Sequence, residues 1–563
     1  MGEFPNIAPL GLALSRHTSS FVYITARMVA GPRERFCAAM AAPTGTRRAD
    51  EMSDHRSSDP RQLLNRFRAS LDCDDPVSGI SAGLIGQDVV FDGLFDSIPM
   101  LYADYVATGR PLQQVEDFIS RHVLPCYANP HTEASFCGTY STVLRSCARE
   151  TIASLCGADD RHAVIFGGAG ATAALNRVVA LLGASGGASR ESGALARMAA
   201  LFGARSGART RVVIGPYEHH SNILPWRESG AEVIEIDESK EGGPDLDELS
   251  AVLADSRRAP RVICAFSAAS NITGIMTDIA AVTRIAKRSG ALMVWDYAGG
   301  GPYLPIAMTA EPGVEIDAIA ISPHKFVGGP GSSGVLIVRR DAVVTERPAV
   351  SGGGTVKFVS SRVHDYLDRL EEREEAGTPN YIGDVRAALA FLVKDAMGVQ
   401  YMRRRNAELA RTAIAAWKDV ARLEILGSLT APRLPIFSFL VEDPRGGYVH
   451  PQLVTRILSD RFGIQARGGC ACAGPYAHRL LNISPVASER LRREILAGHE
   501  ENKPGFTRVN LSALMPESKV RFIIESVSVL PAEIERLRRY YEFDPGKGLF
   551  ERRASIEVPS LPA

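Results

Sequence analysis

The sequence predicts an α/β protein in which a mostly parallel, seven-stranded sheet is followed by a smaller C-terminal α+β domain. Short apolar segments rich in β-branched residues alternate with helical stretches such as 172–182 and 276–289. Continuous apolar runs of this length are typical of strands buried on both faces, and interposed helices indicate a doubly wound sheet. The seven predicted strands are 163–166, 211–214, 232–236, 261–265, 291–295, 317–321 and 334–338.

The second domain is predicted from the pattern after this alternation ends. A long helical region covers 384–420, and strands near 436–440 and 463–466 precede a helix near 517–530. Residues 1–60 are rich in Arg and lack sustained periodicity. We expect this extension to be disordered, to be a targeting peptide or to result from an early start codon. The remaining segments are an arm at 61–100 that adds to the small domain, a large domain at 101–395, a small domain at 396–540 and a loose tail at 541–563.

The charge composition argues against some classes of binding partner. The 563 residues carry 64 Lys+Arg and 64 Asp+Glu, and this balance argues against nucleic acid or an anionic membrane as the main partner. No apolar run reaches the ~20 residues of a membrane helix. Nine cysteines are sparse and odd in number, which suits a reducing compartment. We therefore expect a cytoplasmic protein, or an organellar one if residues 1–60 are a transit peptide.

A glycine loop joins a predicted strand to a helix in IFGGAGATAALN (165–176). The backbone amides of Gly170, Ala171 and Thr172, together with the helix dipole, would form a cradle for a phosphate. A tight turn without a ligand explains the glycines equally well. The segment matches neither the Rossmann fingerprint nor the P-loop.

Polar residues follow two other predicted strands. YEHHSN (217–222) places His219 and its neighbour just after a strand, and VWDYAGGG (294–301) places Asp296 at a strand's carboxyl edge. Ligand sites of α/β sheets gather at such edges, although a satisfied histidine pair and a turn-capping aspartate explain the same residues. No further ligands stand at suitable spacing, so we predict no metal.

Two segments carry candidate nucleophiles. In SPHKFVGGPGSSG (322–334), Lys325 follows an apolar strand, where burial would depress its pKa and make the amine nucleophilic. In ARGGCACAGP (466–475), Cys470 and Cys472 lie in a glycine-rich loop close to Arg467. A second cysteine pair that would complete a zinc site is missing, so a thiolate nucleophile is the better interpretation.

Together and in this order, these clusters resemble the class V aminotransferase-fold family of pyridoxal-phosphate enzymes, and most closely the group II cysteine desulfurases and selenocysteine lyases. The resemblance runs from about residue 102 to 529, and its strongest element is Ser322-x-His324-Lys325 before a Gly-Pro-Gly loop. It implies a fold-type I transferase, pyridoxal 5'-phosphate as cofactor and a homodimer.

The resemblance also implies roles for individual residues. Lys325 would hold the cofactor covalently, Asp296 would pair with its pyridine nitrogen, and His219 would stack on the ring and shuttle a proton. Asn271 in SNITG (270–274) would approach the phenolic oxygen. The implied phosphate site comprises Gly170, Ala171, Thr172, Ser322, His324 and, across the dimer interface from EAGTPN (375–380), Thr378.

Substrate binding and sulfur chemistry follow from the same resemblance. Arg508 in TRVNLS (507–512) would bind the substrate's α-carboxylate in a bidentate fork, with Arg467 and His131 as further substrate-binding candidates. The desulfurase pattern Arg-x-Gly-x-x-Cys-x-x-Pro selects Cys472 as sulfur acceptor. Cys470 would point the same way in an extended loop, where it relays the persulfide, forms a regulatory disulfide or merely fills space.

Two features depart from the family pattern. Gly299 stands where desulfurases usually place Gln or His, so one cofactor hydrogen bond is missing or is supplied elsewhere, and residues 484–505 form a charged, helix-like insertion. The expected reaction removes sulfur from L-cysteine or a related amino acid, giving alanine and a persulfide on Cys472 that a sulfur-acceptor protein would take. The alternatives are a selenocysteine lyase, aminotransferase, epimerase or C–S lyase on the same scaffold, and a non-catalytic fold relative.

Overall fold

The computed structural model describes residues 59–130, 132–184 and 209–553. The predicted extension at 1–60 falls almost entirely outside these ranges, and so does His131. The structural statements below concern the described residues.

A seven-stranded sheet forms the centre of the large domain and confirms the predicted α/β class. Its spatial order is β1-β7-β6-β5-β4-β2-β3, and all neighbours are parallel except β7, which runs antiparallel to β1 and β6. Every residue of β1 and β6 is buried, as the continuous apolar runs predicted. The strands are β1 (His162–Phe166), β2 (Arg211–Ile214), β3 (Glu232–Glu235), β4 (Val262–Ser267), β5 (Leu292–Asp296), β6 (Ala318–Ile321) and β7 (Val335–Arg339).

Helices cover this sheet and connect it to the small domain. The predicted helical region at 384–420 is two helices, because Gly398 adopts φ 78° between them and ends the first. The helices of seven residues or more are α1 (Pro60–Ser70), α2 (Pro76–Ala82), α3 (Phe136–Leu155), α4 (Ala171–Leu181), α5 (Leu246–Asp255), α6 (Ile279–Arg288), α7 (Tyr381–Met397), α8 (Val399–Trp417), α9 (Pro451–Phe462), α10 (Gly474–Leu480), α11 (Pro485–Leu496) and α12 (Glu517–Leu537).

The small domain is built on a four-stranded antiparallel sheet in the order β8-β9-β11-β10. In this sheet Arg467 of β10 lies directly opposite Arg508 of β11. Helix α11 confirms the helix predicted in the 484–505 insertion, and none of its residues is fully buried. The strands are β8 (Leu423–Ile425), β9 (Ile436–Val441), β10 (Arg467–Gly469) and β11 (Phe506–Asn510).

The N-terminal arm contributes to both cores rather than to the small domain alone. Leu63, Leu64 and Phe67 of α1 are buried in the large-domain core, whereas Leu94 packs in the core of the small domain. The first of these contacts follows from the amphipathic pattern of α1, which presents its apolar face to the large domain.

The prediction of a loose tail at 541–563 is wrong for its first half. Residues Tyr541–Asp544 (β12) and Leu549–Arg552 (β13) form an antiparallel hairpin. Tyr541 is buried, and its hydroxyl donates to Asp460 Oδ2 at 3.2 Å. The hairpin packs on the small domain, because Tyr541 and Phe550 join its apolar core. Residues 554–563 lie outside the described part of the chain.

Shorter elements complete the fold. Within the three described ranges, no helix is both long and apolar enough to cross a membrane. Two-stranded ladders pair Val90–Asp92 with Ser97–Pro99, Leu101–Tyr102 with Ile464–Gln465, Thr309–Glu311 with Val314–Glu315, and Val356–Val359 with His364–Tyr366. The short helices are Gln113–Phe118, Leu224–Glu228 and Leu370–Glu374.

Candidate active site

The loops that follow β1, β2, β4, β5 and β6 meet at the carboxyl edge of the sheet and line a cavity of about 570 Å³. Parallel sheets bind ligands at this edge. The small domain contributes the opposite wall through β10, β11 and the loop at 470–474 that carries Cys470 and Cys472, here called the cysteine loop. The predicted site residues that the structure brings together here are Gly170, Ala171, Thr172, His219, Asn271, Asp296, Ser322, His324, Lys325, Arg467, Cys472 and Arg508.

Two predicted site residues are not among the lining residues. Thr378 is exposed on the protomer surface. The role expected for it is at the phosphate site of a second subunit. His131 lies outside the described residues, so its placement stays a prediction.

A cradle for an anion forms where β1 leads into α4. The first amides of a helix have no partner inside the helix, so they bind a phosphate or a nearby side chain. Ala171 N donates to Ser322 Oγ at 2.8 Å, and Thr172 Oγ1 lies 2.7 Å from Ser221 Oγ. A Cβ added to Gly170 would lie 2.9 Å from Ser322 Oγ, so a side chain there would fill the cradle.

Glu375 fixes this cradle to the EAGTPN segment. Its carboxylate accepts a hydrogen bond from Phe166 N, at the end of β1, at 2.7 Å. Arg145 and Arg149 form ion pairs with it at 2.5 and 2.7 Å. Burial alone would raise the pKa of Glu375, but the two arginines hold it below its ordinary value. The end of β1 is thereby held by a buried, charged network.

Two buried carboxyl groups lie beneath the cavity. Asp296 ends β5 and is 3% exposed; burial raises its pKa, while the amide of Ala298 and the charge of Lys325 oppose the rise. Burial raises the pKa of Glu218 to about 8, although Asn222 and Ser267 donate hydrogen bonds to it. At neutral pH Glu218 is therefore mostly protonated, and Asp296 is the one of the two carboxyl groups that lines the cavity.

Lys325 follows β6 in the short 3₁₀ turn Pro323–Lys325. Burial, with a smaller contribution from Arg508, lowers the pKa of its ammonium to about 8, while Asp296 and Asp104 act in the opposite direction. A larger fraction of Lys325 is therefore a neutral amine near neutral pH than for an exposed lysine. A neutral amine on the cavity wall is a nucleophile and a base.

His219 lies on the cavity wall as a neutral imidazole. Burial lowers its pKa to about 4, with further contributions from Lys325, His220 and Arg508. Ser221 N donates to His219 Nδ1 at 3.1 Å. Because Nδ1 accepts this bond, the neutral ring carries its proton on Nε2.

A buried carboxylate holds the two arginines of the cavity. Asp104 accepts from Arg467 Nε and from Arg508 Nη2, each at 2.9 Å. Arg508 Nη1 donates to Asn271 O at 2.8 Å, and Arg508 Nε has no hydrogen-bond acceptor in the described part of the chain. The guanidinium groups are thus fixed next to each other, which suits binding of a second carboxylate.

The cysteine loop corrects one expectation. Ala471 and Cys472 both adopt left-handed backbone angles, with φ 51° and 55°, so the loop is not extended. Cys472 is exposed and lines the cavity, whereas Cys470 is half-buried against the cluster of Tyr217 and Tyr476. The expectation that the two thiols point the same way is wrong, because it assumed an extended strand.

Gly299 lies beside Asn271 at the base of the cavity. A Cβ placed on Gly299 would lie 3.2 Å from Ala269 O and 3.6 Å from the Cβ of Asn271. Asn271 Nδ2 donates to Ala471 O at 2.8 Å, and its buried Oδ1 has no partner among the described residues.

Sequence patterns missed several lining or supporting residues. Ser221 and Glu218 belong to the YEHHSN motif, so the strand end that points to His219 points to them as well. Asp104 had no local signal, because it lies 363 residues from Arg467 and 404 residues from Arg508. Ser267 lines the cavity at the end of β4, where the strand-edge rule points to it.

The donor set fits pyridoxal phosphate. The cradle at Gly170 offers amides and hydroxyls to a phosphate, Asp296 offers a buried carboxylate to a protonated ring nitrogen, and Lys325 offers an amine to an aldehyde. These three groups lie on one cavity, as a molecule that carries all three functions requires.

Comparisons with known proteins identify the family of the chain. A sequence profile of the family described as aminotransferase class-V matches residues 101–493. A probable cysteine desulfurase of Streptomyces coelicolor is 28% identical over 389 residues, 68% of this chain and 86% of that protein. Another from Halalkalibacterium halodurans is 27% identical over 394 residues, 69% of this chain and 87% of that protein.

Solved structures support the same fold. A cysteine desulfurase from Thermococcus onnurineus has a TM-score of 0.60 at 22% identity, covering 77% of this chain and 95% of that one. The desulfurase CsdA from Escherichia coli has a TM-score of 0.60 at 21% identity, covering 81% and 98%. The chain therefore belongs to the aminotransferase class-V family of pyridoxal-phosphate-dependent enzymes, close to the cysteine desulfurases.

Proposed function

We propose that the protein is a cysteine desulfurase that uses pyridoxal 5'-phosphate and transfers sulfur from L-cysteine to Cys472. The observation that carries the proposal is that Cys472 lines the same cavity as Lys325 and the Arg467–Arg508 pair. An amine, a carboxylate-binding pair and a thiol are the three protein groups that this reaction needs around one amino acid. The relatives named as probable cysteine desulfurases support the assignment.

The substrate would be oriented by its carboxylate. Arg508 is 4% exposed and already fixed by Asp104 and Asn271, so little side-chain freedom is lost when it binds a substrate. Arg467 is half-exposed and presents its remaining guanidinium donors to the cavity. Asp104 offsets part of their combined charge, so one added carboxylate brings the group closer to neutrality.

Proton movements would fall to Lys325 and His219. The bound cofactor supplies an electron-accepting ring that stabilises negative charge at the substrate's Cα. Lys325 Nζ takes the Cα proton, because its lowered pKa leaves a neutral amine available near pH 8. The Nε2–H of neutral His219 would donate a hydrogen bond to the substrate sulfur from the cavity wall.

The net reaction balances without an external oxidant. The Cβ–S bond of cysteine breaks, the substrate sulfur bonds to the sulfur of Cys472, and Cβ gains a proton, so alanine and a protein persulfide result. Exposure of Cys472 leaves the persulfide open to a thiol or an acceptor protein.

The direct test incubates the cofactor-loaded protein with L-cysteine and dithiothreitol. We expect alanine and sulfide in equal amounts, because each turnover releases one of each. Pyruvate and ammonia in place of alanine would instead indicate a C–S lyase. Exchange of the Cα hydrogen without any sulfide would indicate an epimerase or aminotransferase.

We also propose that the functional unit is a homodimer. The hairpin at 356–366 and the loop before it expose Val350, Phe358, Val359 and Val363, each more than half accessible in the protomer. Gly377 N donates to Gly353 O at 2.8 Å, so this surface adjoins the segment that carries Thr378. Exposed apolar side chains clustered on one surface are typical of a subunit interface.

Phe358→Asp is therefore expected to shift a dimer toward monomer and to lower cofactor occupancy, because it places a charge in an apolar contact. Phe522→Asp is the matched control, since Phe522 is also exposed but lies on α12, away from this surface. Sedimentation velocity and cofactor absorbance report the two effects. A monomeric wild-type protein with full cofactor occupancy would contradict the proposal.

A further inference from the structure

The segment that carries Cys472 adopts a backbone conformation that ordinary side chains disfavour. Ala471 and Cys472 are consecutive non-glycine residues in the left-handed region. In this region the Cβ atom crowds the backbone, so such residues persist only where the surroundings hold them. The cysteine loop must therefore be restrained by contacts outside itself.

His220 supplies most of these restraints. Its backbone N donates to Cys472 O at 2.8 Å, and its ring Nε2 accepts from Gly474 N at 2.9 Å. The third hydrogen bond from residues 470–474 to the large domain, among the described residues, is that of Asn271 Nδ2 to Ala471 O. Both bonds of His220 lie on the C-terminal side of Cys472 Cα, and the bond from Asn271 lies on its N-terminal side.

The ring contact is close and needs one protonation state. A Cβ added to Gly474 would lie 3.1 Å from His220 Nε2, so the loop and the ring are in tight contact. Nε2 can accept the Gly474 amide only while it carries no proton. Burial and the charge of Arg227 lower the pKa of His220, which favours this neutral form.

We propose that His220 is a positioning residue that holds the cysteine loop in its left-handed conformation and keeps Cys472 at the mouth of the cavity. His219 lines the cavity and His220 binds the loop, so this dipeptide connects the candidate cofactor site to the thiol. The effect on sulfur transfer rests on the proposed function, whereas the restraint on the loop does not.

The test compares His220→Leu with His220→Gln in the full-length, cofactor-loaded protein. Leucine removes the acceptor for Gly474 N, while the side-chain oxygen of glutamine can replace it. His478→Leu is the matched control, because His478 lies on α10, next to the loop, and its ring makes no hydrogen bond among the described residues. The measurements are amide hydrogen exchange of the peptide that contains Gly474 and the rate at which iodoacetamide alkylates Cys472.

We expect His220→Leu to raise both rates by about fivefold, the effect of losing one hydrogen bond, and His220→Gln to stay within about twofold of wild type. With L-cysteine, kcat should fall in the leucine variant more than KM changes. Wild-type exchange and alkylation in His220→Leu, or equal defects in the two variants, would overturn the proposal.

A second variant guards against misfolding. If His220→Leu unfolds at a lower temperature than the control, Gly474→Ala tests the same contact from the loop side by crowding Nε2, and it should also raise both rates. Unchanged rates of hydrogen exchange and alkylation in Gly474→Ala would overturn the proposal that His220 restrains the loop. Failure to form alanine in wild type, with the loop effects intact, would overturn the proposed reaction and leave the positioning role standing.

Discussion

Lys325→Ala is expected to abolish covalent attachment of pyridoxal phosphate and to lower alanine production from L-cysteine by about a thousandfold, within the range seen when a positioned proton-transfer group is removed. Lys325 is the amine that lines the cavity, and burial lowers its pKa to about 8. The measurements are the visible absorbance spectrum and peptide mapping after borohydride reduction. Wild-type protein should be yellow and carry a pyridoxyl group on the peptide that contains Lys325.

Lys394 provides a matched control. It is also buried, and burial likewise lowers its pKa to about 8, but its Nζ donates to Gly301 O and Leu304 O at 2.6 and 2.5 Å. Lys394→Gln keeps a donor for these carbonyls and should still be labelled at Lys325. A label on Lys394 in wild type, or a wild-type spectrum in Lys325→Ala, would show that the assignment is wrong.

The large sheet could be predicted from the sequence because each strand has a local signature. Residues 318–321 read AIAI and are completely buried, and five of the other strands are mostly buried, whereas the edge strand β3 reads EVIE and has no buried residue. Burial on both faces removes the need for polar alternation, so composition alone identifies the strands. The strand ends then identified Asp296 and Lys325, because loops at the carboxyl edge of a sheet gather in space.

Other features depend on contacts between distant residues. Asp104 bridges Arg467 and Arg508 although it lies more than 360 residues from either, and nothing in its own neighbourhood predicts this. The left-handed Ala471 and Cys472 also lack a local signal, because glycine is the residue that normally marks such angles. Tertiary contacts, including those of His220, determine this conformation.

The C-terminal hairpin, where a loose tail is predicted, does carry a local sequence signal. Its sequence YEFDPGKGLFER contains a turn signal, Asp544-Pro545-Gly546, between two aromatic segments. A search for alternating residues on both sides of this turn predicts the hairpin. The physical reason for its order is the packing of Phe543 and Phe550 on His450, with ring centroids 5.7 and 5.3 Å away.

Cys472→Ala is expected to retain the yellow cofactor and the spectral response to L-cysteine, but to lose the protein persulfide and to lower alanine output by about a hundredfold or more, as removal of a nucleophile commonly does. Cys472 is exposed on the cavity wall, whereas Cys470 packs half-buried against an apolar cluster. Cys470→Ala is therefore the matched control and should keep activity within about twofold, since a small apolar replacement costs little at such a site.

Persulfide mapping by mass spectrometry separates the members of this family, because only a reaction that delivers sulfur to the protein needs a thiol at the cavity mouth. Epimerisation and transamination leave the Cβ–S bond intact, and a C–S lyase releases sulfide directly, so none of the three loses activity when Cys472 becomes alanine. Persulfide on Cys470 in wild type would contradict the assignment of Cys472 as sulfur acceptor, which the burial difference between the two thiols supports. Undiminished alanine production by Cys472→Ala would show that the sulfur passes to an acceptor other than this thiol, such as added dithiothreitol, with Lys325, Asp296 and Arg508 keeping their proposed roles.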